Sequence, residues 1–200
     1  MMAMEQLRER YPWPAEPPAV EPDDRGWCAG QNRATLKAAL GPDTKVVLEL
    51  GSFLGLSTRF ICEYAPNATI IAIDHWRGSV EHQPRPELAA VLPVLYETFL
   101  KNLWPWRDRV VPVRETTVVG MATVNQCGII PDVVYIDAAH DADSVGADLR
   151  AVLEMWPDAH IIGDDWTWAS VRCGVGRVLP DVPPARQFVT HHACWELKRG

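Results

Sequence analysis

From Lys45 onward, short runs of Val, Ile and Leu alternate with stretches whose apolar residues recur every three or four positions. That alternation is the pattern of parallel strands joined by crossover helices. Five runs read as strands: Lys45–Leu50, Thr69–Asp74, Arg109–Val113, Asp132–Asp137 and His160–Asp164. Their isoleucines and valines suit central positions, buried on both faces. Between the fourth and fifth runs, Val145, Leu149, Val152, Leu153 and Trp156 follow helical spacing and form one stripe that packs on a sheet. Val94–Leu103 is expected to be helical as well. Gln187–His191 and Cys194–Lys198 look like two closing strands, antiparallel partners at one sheet edge.

Upstream, Pro12, Pro14, Pro17, Pro18 and Pro22 predict that Tyr11–Asp24 is an extended leader rather than an element of the core. A helix over about Gln31–Leu40 follows it. Gly78–Pro86 is a polar, proline-containing insertion able to form a lid or part of a substrate pocket.

Composition narrows the functional classes. At 200 residues, 48% hydrophobic and 22% charged, the chain can bury one sizeable core. A net charge of -7 argues against nonspecific attraction to phosphate backbones or anionic membranes, so neither nucleic acid nor a membrane is an expected partner. No run approaches the roughly 18 to 20 apolar residues of a membrane helix. The polar start MMAMEQLRERYPWP lacks the apolar core of a signal peptide, and a cytoplasmic location is expected. The five cysteines are scattered without a C-x-x-C pair, as expected of buried free thiols.

The first strand runs into Val46-Val47-Leu48-Glu49-Leu50-Gly51-Ser52-Phe53-Leu54-Gly55-Leu56-Ser57-Thr58. Gly51 and Gly55 allow a sharp turn and close approach to a ligand, whose carboxylate can meet free N–H groups at the following helix start. The dinucleotide fingerprint G-x-G-x-x-G is not met, which disfavours a pyrophosphate grip and hence a nicotinamide dehydrogenase. The second strand ends on Asp74, 23 residues past Gly51. There a carboxylate can accept hydrogen bonds from both hydroxyls of a ribose. Turn and acid together favour an adenosyl ligand.

Tyr135-Ile136-Asp137-Ala138-Ala139-His140-Asp141 follows the fourth strand, and Ile162-Gly163-Asp164-Asp165-Trp166 the fifth. Asp137, Asp164 and Asp165 would thus meet at the carboxyl edge of the sheet, where three carboxylates repel one another unless a cation is present. An oxygen-only set suits Mg²⁺, with Mn²⁺ and Ca²⁺ as close competitors. Asp143 reads as the cap of the helix that begins near Ser144. His140 is a candidate general base or metal neighbour, balanced against an ordinary surface histidine. Trp76, Trp166 and Trp168, three of nine tryptophans, fall beside these residues and would wall a pocket or pack as ordinary core aromatics.

ELGSFLGLST, AIDHW, YIDAAHDADSVGADL and IIGDDW together resemble the class I S-adenosylmethionine-dependent methyltransferases, especially the small metal-dependent O-methyltransferases related to macrocin O-methyltransferase. The resemblance spans roughly Lys45 to Trp168. It implies an α/β, Rossmann-like, doubly wound seven-stranded sheet, mostly parallel with an antiparallel last strand. Residues 45–200 would form the methyltransferase domain and residues 1–44 a proline-rich leader and N-terminal helix. S-adenosylmethionine would lie over Glu49, Gly51, Ser52, Gly55 and Ser57, with Asp74, His75 and Trp76 about the ribose. Glu115 and Thr116 would flank the adenine, and Asp137 would border the cofactor. The metal, Mg²⁺ first, would fall to Asp137, Asp164 and Asp165, and proton removal to His140 or Asp141. The chain departs from the family at Ala138-Ala139 and at Pro157-Asp158-Ala159 before the fifth strand.

The leading expectation is Mg²⁺-assisted methyl transfer to a hydroxyl of a small molecule. Its rivals are a metal-independent N- or O-methyltransferase relying on His140, and a nonenzymatic adenosyl- or nucleotide-binding module. A homo-oligomer is compatible with all three.

Overall fold

The computed structural model describes residues 2–28, 30–79, 82 and 84–200. Seven strands form one sheet: β1 (Val46–Leu50), β2 (Thr69–Asp74), β3 (Val110–Arg114), β4 (Val133–Ile136), β5 (His160–Gly163), β6 (Phe188–His191) and β7 (Cys194–Leu197). Their order across the sheet is β3-β2-β1-β4-β5-β7-β6. β1 to β5 pair in parallel, whereas β7 is antiparallel to both β5 and β6, so β7 alone runs against the rest. The expected α/β doubly wound sheet is therefore present. Each of the five expected central strands overlaps an observed one, with ends shifted by a residue or less.

Helices cover both faces. One face holds α2 (Gly30–Ala39), α3 (Leu56–Tyr64) and α4 (Leu95–Leu103). The other holds α5 (Thr117–Gln126), α6 (Ala142–Met155) and α7 (Ala169–Gly176). Strand periodicity divides the core between them. Leu48, Leu50 and Val134 point to the α5–α7 face, while Val47, Val133, Tyr135 and Ile162 point to the α2–α4 face.

The N-terminal region is less detached than its prolines suggest. Residues ahead of them form a helix, α1 (Met2–Arg10), whose Leu7 is fully buried in the α5–α7 core. Tyr11–Asp24 has no helix or strand, as expected, yet it lies against the edge strand β3. The Trp13 indole donates to the Val110 carbonyl at 2.8 Å and meets Trp104 edge-on. An edge strand exposes unpaired backbone groups, and this strap satisfies one of them. Farther along, Asn102 on α4 accepts from the Asp23 N–H at 3.1 Å and donates to the Asp23 and Leu54 carbonyls at 2.8 Å each. One side chain thus ties the leader to the turn after β1. Replacing Leu7 with Ala should lower unfolding free energy by about 2–4 kcal/mol through lost burial and a cavity. Urea denaturation measures this, and a loss near zero would contradict an integral α1.

Candidate active site

The site lies at the carboxyl ends of β1, β2, β4 and β5, with the turn after β1 at its centre. Gly51 and Gly55 both have φ of 85°, a left-handed conformation open to glycine at little cost. Space also demands glycine at 51: a Cβ there would stand 2.0 Å from the Asp137 carbonyl oxygen. At Gly55 it would meet Leu103 at 2.1 Å. Asp74, at the end of β2, accepts from the Ser52 and Phe53 N–H groups at 3.1 and 2.9 Å and from the Trp76 N–H at 2.6 Å. The same carboxylate that fastens the turn also lines a cavity of about 200 Å³.

Glu49 serves the turn from beneath. Strand parity sends it to the α2–α4 face, where it is fully buried and accepts from Ser52 Oγ at 2.7 Å and Thr58 Oγ1 at 2.5 Å. Burial raises its pKa, while the neighbouring hydroxyls of Ser57, Thr58 and Ser52 oppose the rise. Its other oxygen is buried without a hydrogen bond among the described residues. Glu49 and Gly55 therefore shape the turn from inside it, and line neither cavity.

Two cavities flank Gly51, Phe53, Asp137 and Ala138. The first, of about 200 Å³, brings together Gly51, Asp74, His75, Glu115, Thr116 and Asp137. The second, of about 310 Å³, takes in Ser52, Ser57, Asp137, His140 and Asp165. Its aromatic walls are Trp168, which lies over the His140 ring at 4.8 Å, and Trp27, stacked on His82 at 5.3 Å. Within the expected insertion, Gly78, Ser79 and His82 border the first cavity and His82 and Arg85 the second. Val80, Glu81 and Gln83 of that insertion lie outside the described residues.

Asp137, His140 and Asp165 each offer one ligand atom, all within 4.8 Å of one another. His140 Nε2 is 2.7 Å from Asp165 Oδ2. Asp164, expected as a third ligand, is not in that group, and its oxygens are engaged by other partners. Parity puts it on the α2–α4 face with Ile162, where its Oδ2 accepts from the Asn32 side-chain amide and lies 3.2 Å from the Tyr135 hydroxyl. Its Oδ1 accepts from the Asp165 N–H at 2.6 Å. Asp165 adopts φ of 54°, a strained non-glycine conformation that redirects the chain and brings its carboxylate to His140.

The fully buried Tyr135 hydroxyl lies between Asp164 and Asp137 Oδ2, the latter at 3.3 Å. Burial, then the charges of Asp164, Asp165 and Glu49, raises the Asp137 carboxyl well above the usual carboxylate range. Burial likewise pushes Asp164 up to about 6. Two crowded carboxylates and an imidazole fit a divalent cation, which would offset their repulsion. The imidazole broadens the choice from Mg²⁺ toward Mn²⁺ and other transition metals.

Other expectations are corrected here. Asp141 caps α6, its Oδ1 accepting from the Asp143 and Ser144 N–H groups at 3.1 and 2.9 Å, so its carboxylate is committed to the helix start. Asp143, expected as that cap, pairs with Arg177 at 2.7 Å. Trp76 is buried against Tyr96 and Phe99 and donates to the Phe53 carbonyl at 2.8 Å, supporting the turn from below. Trp166 packs on Phe188. Of the three tryptophans singled out in the sequence, Trp168 lines a cavity.

The seven-stranded sheet is the Rossmann-like fold of solved methyltransferases. Residues 48–166 match the family described as a methyltransferase domain, and the chain belongs to that family of S-adenosylmethionine-dependent methyltransferases. No curated protein matches the sequence significantly. Among solved structures, a Klebsiella pneumoniae protein assigned to the O-methyltransferases shares 17% identity and a TM-score of 0.61, over 99% of this chain and 90% of that one. An O-methyltransferase from Bacillus cereus in complex with S-adenosylhomocysteine gives 16%, 0.58, 98% and 90%. The methyltransferase MycE of mycinamycin biosynthesis, in complex with Mg and S-adenosylhomocysteine, gives 14% and 0.57, over 99% of this chain and 54% of its own. At these identities the likeness speaks for the fold. No helix among the described residues is long and apolar enough to cross a membrane.

Asp148, unremarked in the sequence, is a buried carboxyl on α6 that lines the first cavity. Burial, reinforced by the charge of Asp141, pushes it up to about 6, against the hydrogen bond from Thr117. A raised carboxyl pKa penalises folding progressively as pH rises from the unfolded value of about 3.9 to the folded one. Asp148→Asn should therefore raise stability by on the order of 2–3 kcal/mol at pH 7.5, with the gain vanishing near pH 4. Thermal unfolding across that range checks it, and a pH-independent difference would contradict it.

Proposed function

We propose that this methyltransferase acts on a hydroxyl of a small molecule with the help of a divalent cation, in the manner of the metal-dependent group related to macrocin O-methyltransferase. The observation that carries the reading is the convergence of Asp137, His140 and Asp165 on the cavity that adjoins the Asp74 side of the site. In this reading the methyl donor occupies the cavity beside Asp74, Glu115 and Thr116, and the acceptor the one beside Trp27 and Trp168.

When bound, the sulfonium donor supplies an activated methyl group and the cation, Mg²⁺ or Mn²⁺, supplies charge that lowers a hydroxyl's pKa. The protein's own part is alignment and the exclusion of water. Asp74 and the turn it fastens would hold the adenosyl group, leaving the methyl directed at the second cavity. Asp137 and Asp165 would hold the cation, with neutral His140 as a third donor. Trp27, Phe53 and Trp168 would form apolar walls around the acceptor.

A second reading keeps the donor and omits the cation. It is favoured by the 2.7 Å contact between His140 Nε2 and Asp165 Oδ2, in which a carboxylate orients the imidazole. His140 would then take the acceptor's proton as the sulfur–methyl bond breaks and the oxygen–methyl or nitrogen–methyl bond forms.

The test is a Mn²⁺ titration followed by electron paramagnetic resonance in the presence of S-adenosylhomocysteine. Wild-type protein should bind one ion, and Asp165→Asn should bind it on the order of 100-fold more weakly with S-adenosylhomocysteine affinity unchanged. Equal Mn²⁺ binding by both proteins, together with chelator-resistant methyl transfer, would overturn the metal role and favour the second reading.

A further inference from the structure

Asn32 is an amide on the inner face of α2, one turn ahead of Leu36, and is 4% exposed. Its nitrogen donates to Asp164 Oδ2, while its oxygen is buried without a hydrogen bond among the described residues. Burying an amide with its acceptor unused is costly, and an aliphatic residue would serve packing better. What the side chain contributes is therefore its bond to Asp164, and the value of that bond lies in what Asp164 holds. Asp164 Oδ1 accepts from the Asp165 N–H at 2.6 Å. The Tyr135 hydroxyl lies 3.2 Å from Asp164 Oδ2 and 3.3 Å from Asp137 Oδ2. One buried carboxylate thus links α2 to both acids of the Asp137–His140–Asp165 group. α2 lies upstream of residues 48–166, so membership of the family does not supply this contact.

We propose that Asn32 is a positioning residue for the cation site. Its amide holds Asp164, and Asp164 in turn holds the backbone of Asp165 and, through Tyr135, the carboxyl of Asp137. This rests on the reading of Asp137, His140 and Asp165 as cation ligands. Asp165 keeps φ of 54°, a conformation that persists only while its surroundings enforce it, and in that conformation its carboxylate meets His140 Nε2 at 2.7 Å. Without the Asn32 amide, Asp164 is free to turn, the Asp165 backbone relaxes, and the spacing of the ligand atoms is lost. Partners that orient metal ligands from outside the first coordination sphere are worth roughly 10- to 100-fold in metal affinity.

The experiment is a double-mutant cycle read as Mn²⁺ affinity by electron paramagnetic resonance, with S-adenosylhomocysteine affinity measured in parallel by calorimetry. The proteins are the wild type, Asn32→Leu, Asp164→Ala and the double variant. Asn32→Leu should bind Mn²⁺ about tenfold more weakly, with S-adenosylhomocysteine affinity within about twofold of wild type. The double variant should bind Mn²⁺ within about twofold of Asp164→Ala alone, because both changes break one chain of contacts. If Asn32→Leu does not fold, Asn32→Ser removes the amide with less disturbance and carries the same expectations. Losses that multiply in the double variant, or an equal fall in S-adenosylhomocysteine affinity, would mark a merely structural role and overturn the proposal. If wild type binds no Mn²⁺, the cation reading fails and the proposal with it. If wild type and Asn32→Leu bind Mn²⁺ equally, only the role of Asn32 fails.

Discussion

Asp74 fastens the turn after β1 to the end of β2, and the rest of the site depends on that attachment. Its two oxygens accept three backbone N–H groups, two from the turn and one from its own strand end. The attachment holds Gly51 so close to the end of β4 that a methyl group there would overlap the Asp137 carbonyl. Gly51, Phe53 and Asp137 consequently form a shared wall between two cavities. The arrangement has a cost in backbone strain. Phe53, Trp76 and Asp165 all adopt positive φ, at on the order of 1–3 kcal/mol each, and all three border this region. Buried partners hold two of them in place: the Trp76 indole bonds the Phe53 carbonyl, and Asp164 bonds the Asp165 N–H.

A layer of polar groups on the α2–α4 face supports the same wall. Glu49, Tyr135, Asp137 and Asp164 share strand parity, so alternate residues of three neighbouring strands meet beneath the turn. Asn32 on α2 completes the layer through Asp164. The helix upstream of the family match is thereby tied to the chemistry, just as the leader is tied to the turn by Asn102. The layer's hydrogen bonds are incomplete, since Glu49 Oε1 and Asn32 Oδ1 are buried without a hydrogen bond among the described residues. It reaches Asp137 through Tyr135 and the Asp165 N–H through Asp164.

The sheet was legible in the sequence because its central strands are buried on both faces and so read as continuous Val and Ile runs. The turn glycines and Asp74 were equally plain, since their spacing follows from strand-to-strand register. α1 was not, because MAMEQLRER carries few apolar residues and its helix is stabilised by docking Leu7. Asp164 and Asp165 are adjacent just past β5, and the sequence does not show that Asn32, Tyr135 and the Asp165 N–H engage the first while positive φ turns the second to His140. Asp141 and Asp143 exchanged roles over a shift of two residues in the helix start, the usual uncertainty in placing an end. Asp148 left a usable signal, an acid interrupting an otherwise apolar helical stripe. Trp27 left none, because its place depends on how the leader folds over Phe53 and His82.

The central claim is that one wall, held by Asp74 and Asp137, separates a methyl-donor cavity from a metal-bearing acceptor cavity. Anomalous diffraction from a crystal grown with S-adenosylhomocysteine and Mn²⁺ tests it most directly. The account predicts a manganese peak between Asp137 and Asp165, with the adenosyl group on the Asp74 side of Gly51. An adenosyl group on the Trp27 side, or manganese bound away from both carboxylates, would contradict it.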